Sequence, residues 1–263
     1  MELTFFGISD TMKLLRSRSR ALPKKHKEAT FMPYPVSLIA AAAASVGCVL
    51  FAVFFMSAYR RENHRLAILL KGLAAVCFIL LGFFLRPHSA NQSYAGLVIL
   101  GLILGFFGDE LLALRFLVPK LNDLLFAGGA LTFAVGHGFY MKALFDLGVI
   151  APLTLILVLV PGLLLAWLYG KNQGSHAGSL QPAALLYMGL VIFMSAVSIT
   201  AAIHAPQPAT VLFALGGICF ACSDNILLAY CFGKKSNWNQ NIWVHITYYA
   251  AQLFIAWSIL LIR

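Results

Sequence analysis

Residues 96–114 read GLVILGLILGFFGDELLAL, and this stretch decides the class of fold. An apolar helix of about 20 residues is long enough to cross the hydrocarbon core of a bilayer. The run has this length, yet it carries two carboxylates, Asp109 and Glu110, near its end. Because ionisable groups inside a membrane are costly and usually mark a functional path, the stretch predicts a transmembrane helix that contributes to a polar site.

The composition of the whole chain is typical of an integral membrane protein. Of its 263 residues, 61% are hydrophobic and 11% are charged, whereas soluble domains are about 45–50% apolar and about 25% charged. The partner that this composition indicates is a lipid bilayer. The formal charge of +10 is therefore not evidence for a nucleic-acid partner, and we expect none.

The basic residues are concentrated near the start of the chain, where seven lie between Lys13 and Lys27. Residues 1–34 are predicted to be a basic, disordered tail that is attracted to anionic lipid headgroups. A secretory signal peptide would have a shorter apolar core and a cleavage site soon after it. The first apolar span is therefore interpreted as a retained helix.

Residues 35–263 are predicted to form an all-α, polytopic membrane bundle of eight transmembrane helices. Both termini then lie on the same side, and Lys and Arg are too evenly distributed for the positive-inside rule to give the orientation. No loop is long enough to form a soluble domain, so any chemistry is expected inside the bundle or at its rim. The predicted spans are 35–58, 66–85, 94–114, 124–142, 149–169, 183–203, 209–232 and 242–262.

A weak internal similarity relates the two halves of the bundle. GLILGFFGDELLA (101–113) aligns with GGICFACSDNILL (216–228) at an offset of 115 residues, which places Asp109 on Asp224. The offset spans four helices, so the copies run in the same direction. We therefore predict a 4+4 parallel internal repeat, of the kind found in some membrane proteins.

Four ionisable residues are predicted to lie in the same half of the membrane: Lys71, Asp109, Asp224 and His245. The third and seventh spans run in one direction and the second and eighth in the other. At about 1.5 Å per residue, the two aspartates differ in depth by only about one turn. We interpret them as functional acids. The alternative is that they stabilise helix packing through bonds to Lys71 or His245.

The eighth span carries a polar stripe on an otherwise apolar helix. Its members are His245, Tyr248, Tyr249 and Gln252, at positions i, i+3, i+4 and i+7. Such a stripe points towards a polar cavity or another helix. The alternative for the two tyrosines is a place in the aromatic belt at the membrane interface.

Other residues are predicted to bind substrate or to support the acids. Lys71 is interpreted as a charge partner or a phosphate binder. His137 is interpreted as either an interior histidine or a residue of the site. Small residues share a helix face with each acid, where they allow close approach of a neighbouring helix or leave room for a ligand. The remaining supporting candidates are Glu110 and Asn225.

Four blocks of sequence together resemble the lysoplasmalogenase (YhhN-type) family of membrane proteins. They are GFFGDELLAL, FAGGALTFAVGHGFYMKALF, GGICFACSDNILLAY and HITYYAAQLFIAWS. The resemblance covers nearly the whole chain from the second span onward. One departure is that Lys71 is followed by Gly-Leu-Ala-Ala, whereas the family's lysine is often closely followed by proline.

The resemblance implies hydrolysis of the vinyl ether bond of lysoplasmalogens, with Asp109 and Asp224 as catalytic residues. The products would be a fatty aldehyde and glycerophosphocholine or glycerophosphoethanolamine, and the expected location is the endoplasmic reticulum membrane. Two carboxylates suit this chemistry, because protonation of a vinyl ether gives an oxocarbenium-like cation, as in glycoside hydrolysis. The scheme needs no cofactor and no metal, although one histidine in each of the fourth and eighth spans leaves a metal open.

Other classes of protein also place acids in membrane helices. A proton-coupled transporter or carrier would use the same buried acids and a parallel repeat. An intramembrane aspartyl protease would share the Gly108–Asp109 element, but its second acid would follow a tyrosine rather than Cys222-Ser223. A lipid-binding receptor has no positive sign in the sequence. No pattern predicts the oligomeric state, the headgroup preference or which aspartate is the acid.

Overall fold

The computed structural model describes residues 33–234 and 236–263, and in them eight long helices follow one another. Each is long and apolar enough to cross a membrane, which confirms the predicted all-α, multi-pass bundle. The basic tail was predicted for residues 1–34, and residues 1–32 lie outside the described ones. The helices are α1 (Tyr34–Arg60), α2 (His64–Leu85), α3 (Gln92–Leu114), α4 (Asn122–Phe145), α5 (Pro152–Gln173), α6 (Gln181–His204), α7 (Pro208–Phe232) and α8 (Trp238–Leu261).

Local signals explain where several helices start and stop. Helix α8 begins at Trp238 rather than at 242, because Asn237 and Gln240 form a capping box that satisfies free backbone N–H groups. Helix α5 continues to Gln173 rather than 169 and ends at Gly174, whose φ of 62° suits glycine. Polar residues at the membrane boundary thus extend both helices beyond their apolar spans.

The helices pack mainly as consecutive hairpins around α8. The closest pairs are α1 with α2, α3 with α4, and α7 with α8. Helix α8 also contacts α1, α2 and α3, so it occupies the centre of the bundle. Helix α5 packs mainly against α6 and α7 and has no buried residue, which places it at the periphery. The polar stripe of α8 therefore lies where several helices meet.

Glycines on α3 allow neighbouring helices to approach closely. A Cβ atom added at Gly101 would overlap the ring of Tyr140 on α4, and one added at Gly108 would overlap the ring of Phe133. One added at Gly105 would meet Gln252 on α8. Of the two interpretations of these small residues, the structure favours helix packing over room for a ligand.

The same close approach recurs in the second half of the bundle. A Cβ atom at Gly216 on α7 would meet Ile255 on α8. Gly216 and Ile255 lie 115 residues after Gly101 and Tyr140, the offset at which the two sequences align. The 4+4 repeat itself stays a prediction.

Candidate active site

One cavity, of about 100 Å³, lies at one face of the bundle and has both aspartates in its wall. The ends of α1, α3 and α7 and the starts of α2 and α8 surround its mouth. Asp109 precedes Arg115 by six residues on α3, so it lies about 9 Å deeper at about 1.5 Å per residue. Since one water needs only about 10–15 Å³, several waters or part of a ligand fit inside. The mouth is formed by Tyr59, His64, Arg115, Tyr230 and Asn241.

Asp109 is held from both of its carboxylate oxygens. Lys71 on α2 forms a buried ion pair with Oδ1 at 2.9 Å, and its Nζ is 3.4 Å from the Asp109 carbonyl oxygen. Tyr248 on α8 donates a hydrogen bond to Oδ2 at 2.6 Å. With 3% of its surface exposed, Asp109 is paired in the way that buried charges require.

The Asp109 site continues into the bundle through a chain of hydrogen bonds. Gln252 donates from Nε2 to the Tyr248 hydroxyl at 2.9 Å, and Tyr140 on α4 donates to Gln252 Oε1 at 3.0 Å. All three side chains are buried. Because each group has a partner, the chain fixes the orientation of the Tyr248 hydroxyl that faces Asp109.

Asp224 has a different environment, although it lines the same cavity. Tyr187 on α6 donates a hydrogen bond to its Oδ2 at 2.5 Å. In residues 33–234 and 236–263, no Lys, Arg or His lies within ion-pairing distance of its carboxyl group. The two acids are therefore unequal: Asp109 has a cationic partner, and the hydrogen-bond partner of Asp224 is a neutral hydroxyl.

Five of the residues predicted for the site line this cavity. His245 is one of them; its ring packs against Phe55 at 4.8 Å between centroids. Its Nδ1 lies 2.7 Å from the Asn241 carbonyl oxygen, so Nδ1 carries a hydrogen and donates it to that oxygen. The five are Lys71, Asp109, Asp224, His245 and Tyr248.

The other five predicted residues lie outside the cavity wall. Gln252 is one layer deeper and supports Tyr248. His137 is buried against Phe220, with ring centroids 4.6 Å apart, and neither of its nitrogens has a hydrogen-bond partner. Glu110 and Tyr249 each have a buried oxygen without a partner, and Asn225 donates to the Ala221 carbonyl oxygen at 2.8 Å.

Tyr187, His64 and Arg115 are among the cavity residues that were not predicted from the sequence. Tyr187 had a detectable signal, because it is the only tyrosine within the apolar span of 183–203. His64 and Arg115 lie at helix ends, where charged residues usually mark only the membrane boundary. Their position in the cavity mouth depends on how the helices are rotated about their axes.

The model of one protein family matches residues 66–259, which contain both aspartates and every partner named above for them. The chain belongs to the YhhN family. This family includes lysoplasmalogenases, in agreement with the resemblance noted in the four sequence blocks. No curated protein matches the chain significantly, and neither does any solved structure.

The YhhN match gives the site a family context without assigning its chemistry. It covers α3 and α7 in full, so the two acids belong to the part of the chain that the family shares. The first helix, α1, precedes it, although Phe55 and Tyr59 of α1 complete the cavity wall. The chain is therefore a YhhN-family membrane protein that has two unequal buried acids in one cavity.

Proposed function

We propose that this chain is a lysoplasmalogenase, a membrane hydrolase that cleaves the vinyl ether bond of a lysoplasmalogen. The observation that carries the proposal is the pair of buried aspartates in one cavity, of which only Asp109 has a cationic partner among the described residues. Vinyl ether hydrolysis needs one group that gives a proton to carbon and one that faces the resulting cation. The inequality of the two acids matches this division of labour.

The first step assigns Asp224 as the proton donor. A carboxyl group without a cationic partner in a poorly solvated site is suited to carry a proton. Tyr187 engages Oδ2, which leaves Oδ1 to hold that proton. The O–H bond of Asp224 breaks, and the π electrons of the C=C bond form a C–H bond at the vinyl carbon that is not bonded to oxygen. A C–C single bond and an oxocarbenium ion remain.

The second step assigns Asp109 as the carboxylate. Its ion pair with Lys71 favours the charged form, which stabilises the cation and accepts a proton from the attacking water. The water oxygen bonds to the oxocarbenium carbon and gives a hemiacetal. Asp224 then accepts the hemiacetal hydroxyl proton while Asp109 returns its proton to the glycerol oxygen. The C–O bond breaks, and both acids regain their starting states without a cofactor or metal.

A second, apolar groove supports a substrate with one long chain. It has a volume of about 300 Å³ between α4, α6 and α7, and it shares Asp224, Tyr187 and Ala130 with the cavity. Near its outer rim, Leu131 and Leu186 are 67% and 77% exposed on the surface that would face lipid. The alkenyl chain would lie in this groove, with its vinyl ether carbon at the aspartates.

The neighbours of the acids have supporting roles in this scheme. Tyr248, held by Gln252, fixes the orientation of the Asp109 carboxylate. His245 lines the cavity and would orient water or the glycerol hydroxyl. The site would act on lipid in the bilayer that surrounds the helices, and the endoplasmic reticulum remains the membrane that we propose.

The proposal is tested with the purified full-length protein in nanodiscs and three lipids that share a headgroup. Alkenyl lysolipid should release a fatty aldehyde, whereas the saturated alkyl ether analogue and the ester lysolipid should not. In D₂O, the aldehyde, trapped at once by reduction, should carry one deuterium on the carbon next to the carbonyl. A protein that releases no aldehyde, or releases it without this label, contradicts the proposal.

The same purified protein, reconstituted in proteoliposomes, distinguishes the enzyme from a carrier. Proteoliposomes that move the lysolipid or protons across the bilayer and release no aldehyde would support the transporter alternative. Aldehyde release with no net movement of substrate across the bilayer supports the hydrolase. The headgroup preference follows from repeating the assay with choline and ethanolamine lysoplasmalogens.

A further inference from the structure

Arg115 has an unusual environment at the mouth of the cavity. It follows the last residue of α3, and its guanidinium lies 5.0 Å from the centroid of the Phe116 ring and 5.5 Å from that of Phe126. Its Nη2 donates to the Cys231 sulfur at 3.3 Å, and its Nε is buried with no hydrogen-bond partner in residues 33–234 and 236–263. Within the part of the chain that the structure describes, no carboxylate lies in ion-pairing distance of it.

A second polar group without a partner lies beside it. His64 lines the same mouth, and its ring is stacked on Phe116, with centroids 5.6 Å apart and planes inclined by 11°. The His64 Nδ1 atom is buried and has no hydrogen-bond partner among the residues that the structure describes. Buried polar groups are nearly always hydrogen-bonded, and each one left unpaired costs free energy. The two nitrogens around Phe116 therefore indicate a ligand with acceptor oxygens.

We propose that Arg115, assisted by His64, binds the phosphate of the lysolipid headgroup and makes the site selective for phospholipids. The inference rests on the proposed function, because it names the part of the substrate that this mouth recognises. A guanidinium presents a planar fork of donors that suits phosphate oxygens. The rings of Phe116 and Phe126 lie against the guanidinium and help to hold the fork in place.

The other cation in the cavity wall is less suited to this role. Lys71 is already paired with Asp109 at 2.9 Å, so a phosphate there would compete with a buried ion pair. Arg60 is placed over the Trp238 ring at 5.7 Å and does not line the cavity. Arg115 is thus the permanently charged group of the cavity wall that has no carboxylate partner among the described residues.

The spacing along α3 agrees with the dimensions of the lipid. Seven bonds separate the phosphorus from the vinyl carbon that accepts the proton, which is about 8 Å at roughly 1.2 Å per bond of an extended chain. Arg115 and Asp109 are six residues apart, or about 9 Å along the helix. A phosphate at Arg115 would therefore leave the vinyl ether at the depth of the acids.

Two cleavable substrates, one with and one without phosphate, test the assignment. We compare 1-alkenyl-glycerophosphocholine with 1-alkenyl-glycerol for the wild type, Arg115→Gln, Arg115→Lys and the control Arg61→Gln. Arg61 is exposed at the same face of the bundle and does not line the cavity. Arg115→Gln should raise KM for the phospholipid about 10- to 100-fold, the range expected for a hydrogen bond to a charged group. Its kinetics with alkenyl-glycerol should change less than about twofold.

The substitutions differ in what they remove. Arg115→Lys keeps the charge but loses the fork, so its KM for the phospholipid should fall between those of the wild type and Arg115→Gln. Arg61→Gln should leave KM for both substrates unchanged. An equal loss with both substrates, or no loss with either, would overturn the assignment.

A binding measurement separates this inference from the proposed function. The saturated alkyl ether lysolipid cannot be cleaved, so its affinity for the protein does not depend on any catalytic activity. It should bind the wild type at least about 10-fold more tightly than Arg115→Gln. If the wild type releases no aldehyde but this difference persists, the catalytic proposal fails and the phosphate site stands. If inorganic phosphate binds as tightly as the analogue, the mouth is a free-phosphate site and the lipid assignment is overturned.

Discussion

Asp109 and Asp224 line the same cavity, but within residues 33–234 and 236–263 only Asp109 of the two forms an ion pair, with Lys71 at 2.9 Å. The hydrogen-bond partner of Asp224 is the Tyr187 hydroxyl at 2.5 Å. Two equal carboxylates would give no reason to assign one as acid and one as base. The difference in partners supplies that reason.

The ion pair should stabilise the protein as well as prepare Asp109. Lys71→Met leaves a buried carboxylate without its cation, which costs about 3–5 kcal/mol in folding free energy. Activity should fall together with stability. Chemical denaturation of the purified protein measures the first effect and aldehyde release the second.

A double substitution separates charge from packing at this position. In Lys71→Met with Asp109→Asn, the buried charge is absent, so most of the lost stability should return while activity stays low. Equal stability losses in the single and double variants would show that Lys71 matters through its packing and not through the ion pair.

Tyr187 should affect catalysis more than folding. Tyr187→Phe removes the donor to Asp224 Oδ2 and keeps the ring, so kcat should fall about 10-fold, the effect of one hydrogen bond worth about 1.4 kcal/mol. KM should change little, because the hydroxyl acts on the acid. The control is Tyr34→Phe, at an exposed position on α1. A kcat equal to that of the wild type would remove Tyr187 from the mechanism.

The groove between α4, α6 and α7 should determine the chain length that the enzyme accepts. Ala134→Leu narrows it outside the catalytic cavity and should raise KM for long alkenyl chains about 10-fold, while short chains are cleaved as before. The matched control is Ala166→Leu, in a separate apolar groove that shares no residue with the cavity. The groove assignment would be wrong if both variants, or neither, discriminated by chain length.

Close packing between α3 and α4 should support the hydrogen-bond chain to Asp109. Gly101→Ala places a Cβ against the Tyr140 ring, which donates to Gln252, so stability should fall by about 1–3 kcal/mol and activity with it. Gly96→Ala on the same helix adds a Cβ into open space and should have little effect on either quantity. Thermal unfolding of the two variants in the same detergent makes the comparison.

The bundle was predictable because the bilayer imposes a simple rule on length and polarity. Eight apolar runs of about 20 residues can hardly form anything other than membrane helices. The acids could be identified from the sequence for the same reason, because a charged residue inside an apolar run is costly and usually has a function. The similarity between 101–113 and 216–228 relates Asp109 to Asp224 from the sequence alone.

The partners of the acids were harder to predict from the sequence, because they depend on how each helix is rotated about its axis. The sequence allowed Asp224 to bond to His245, but in the structure it bonds to Tyr187 on α6. Arg115 counted as one more basic residue in a loop, yet it borders the cavity mouth. The sequence of α3 did not distinguish glycines that make room for a ligand from glycines that allow close helix packing. In the structure, Tyr140 and Phe133 pack against them.

Aldehyde release by separate Asp109→Asn and Asp224→Asn variants tests the central claim most directly. Each amide keeps the shape of the side chain and removes its acid–base function, so we predict that kcat for lysoplasmalogen falls about 10²- to 10⁴-fold in both. Asp146→Asn, at an exposed ion pair with Lys142, should retain wild-type activity. Near wild-type aldehyde release by either folded active-site variant would contradict the two-carboxylate mechanism.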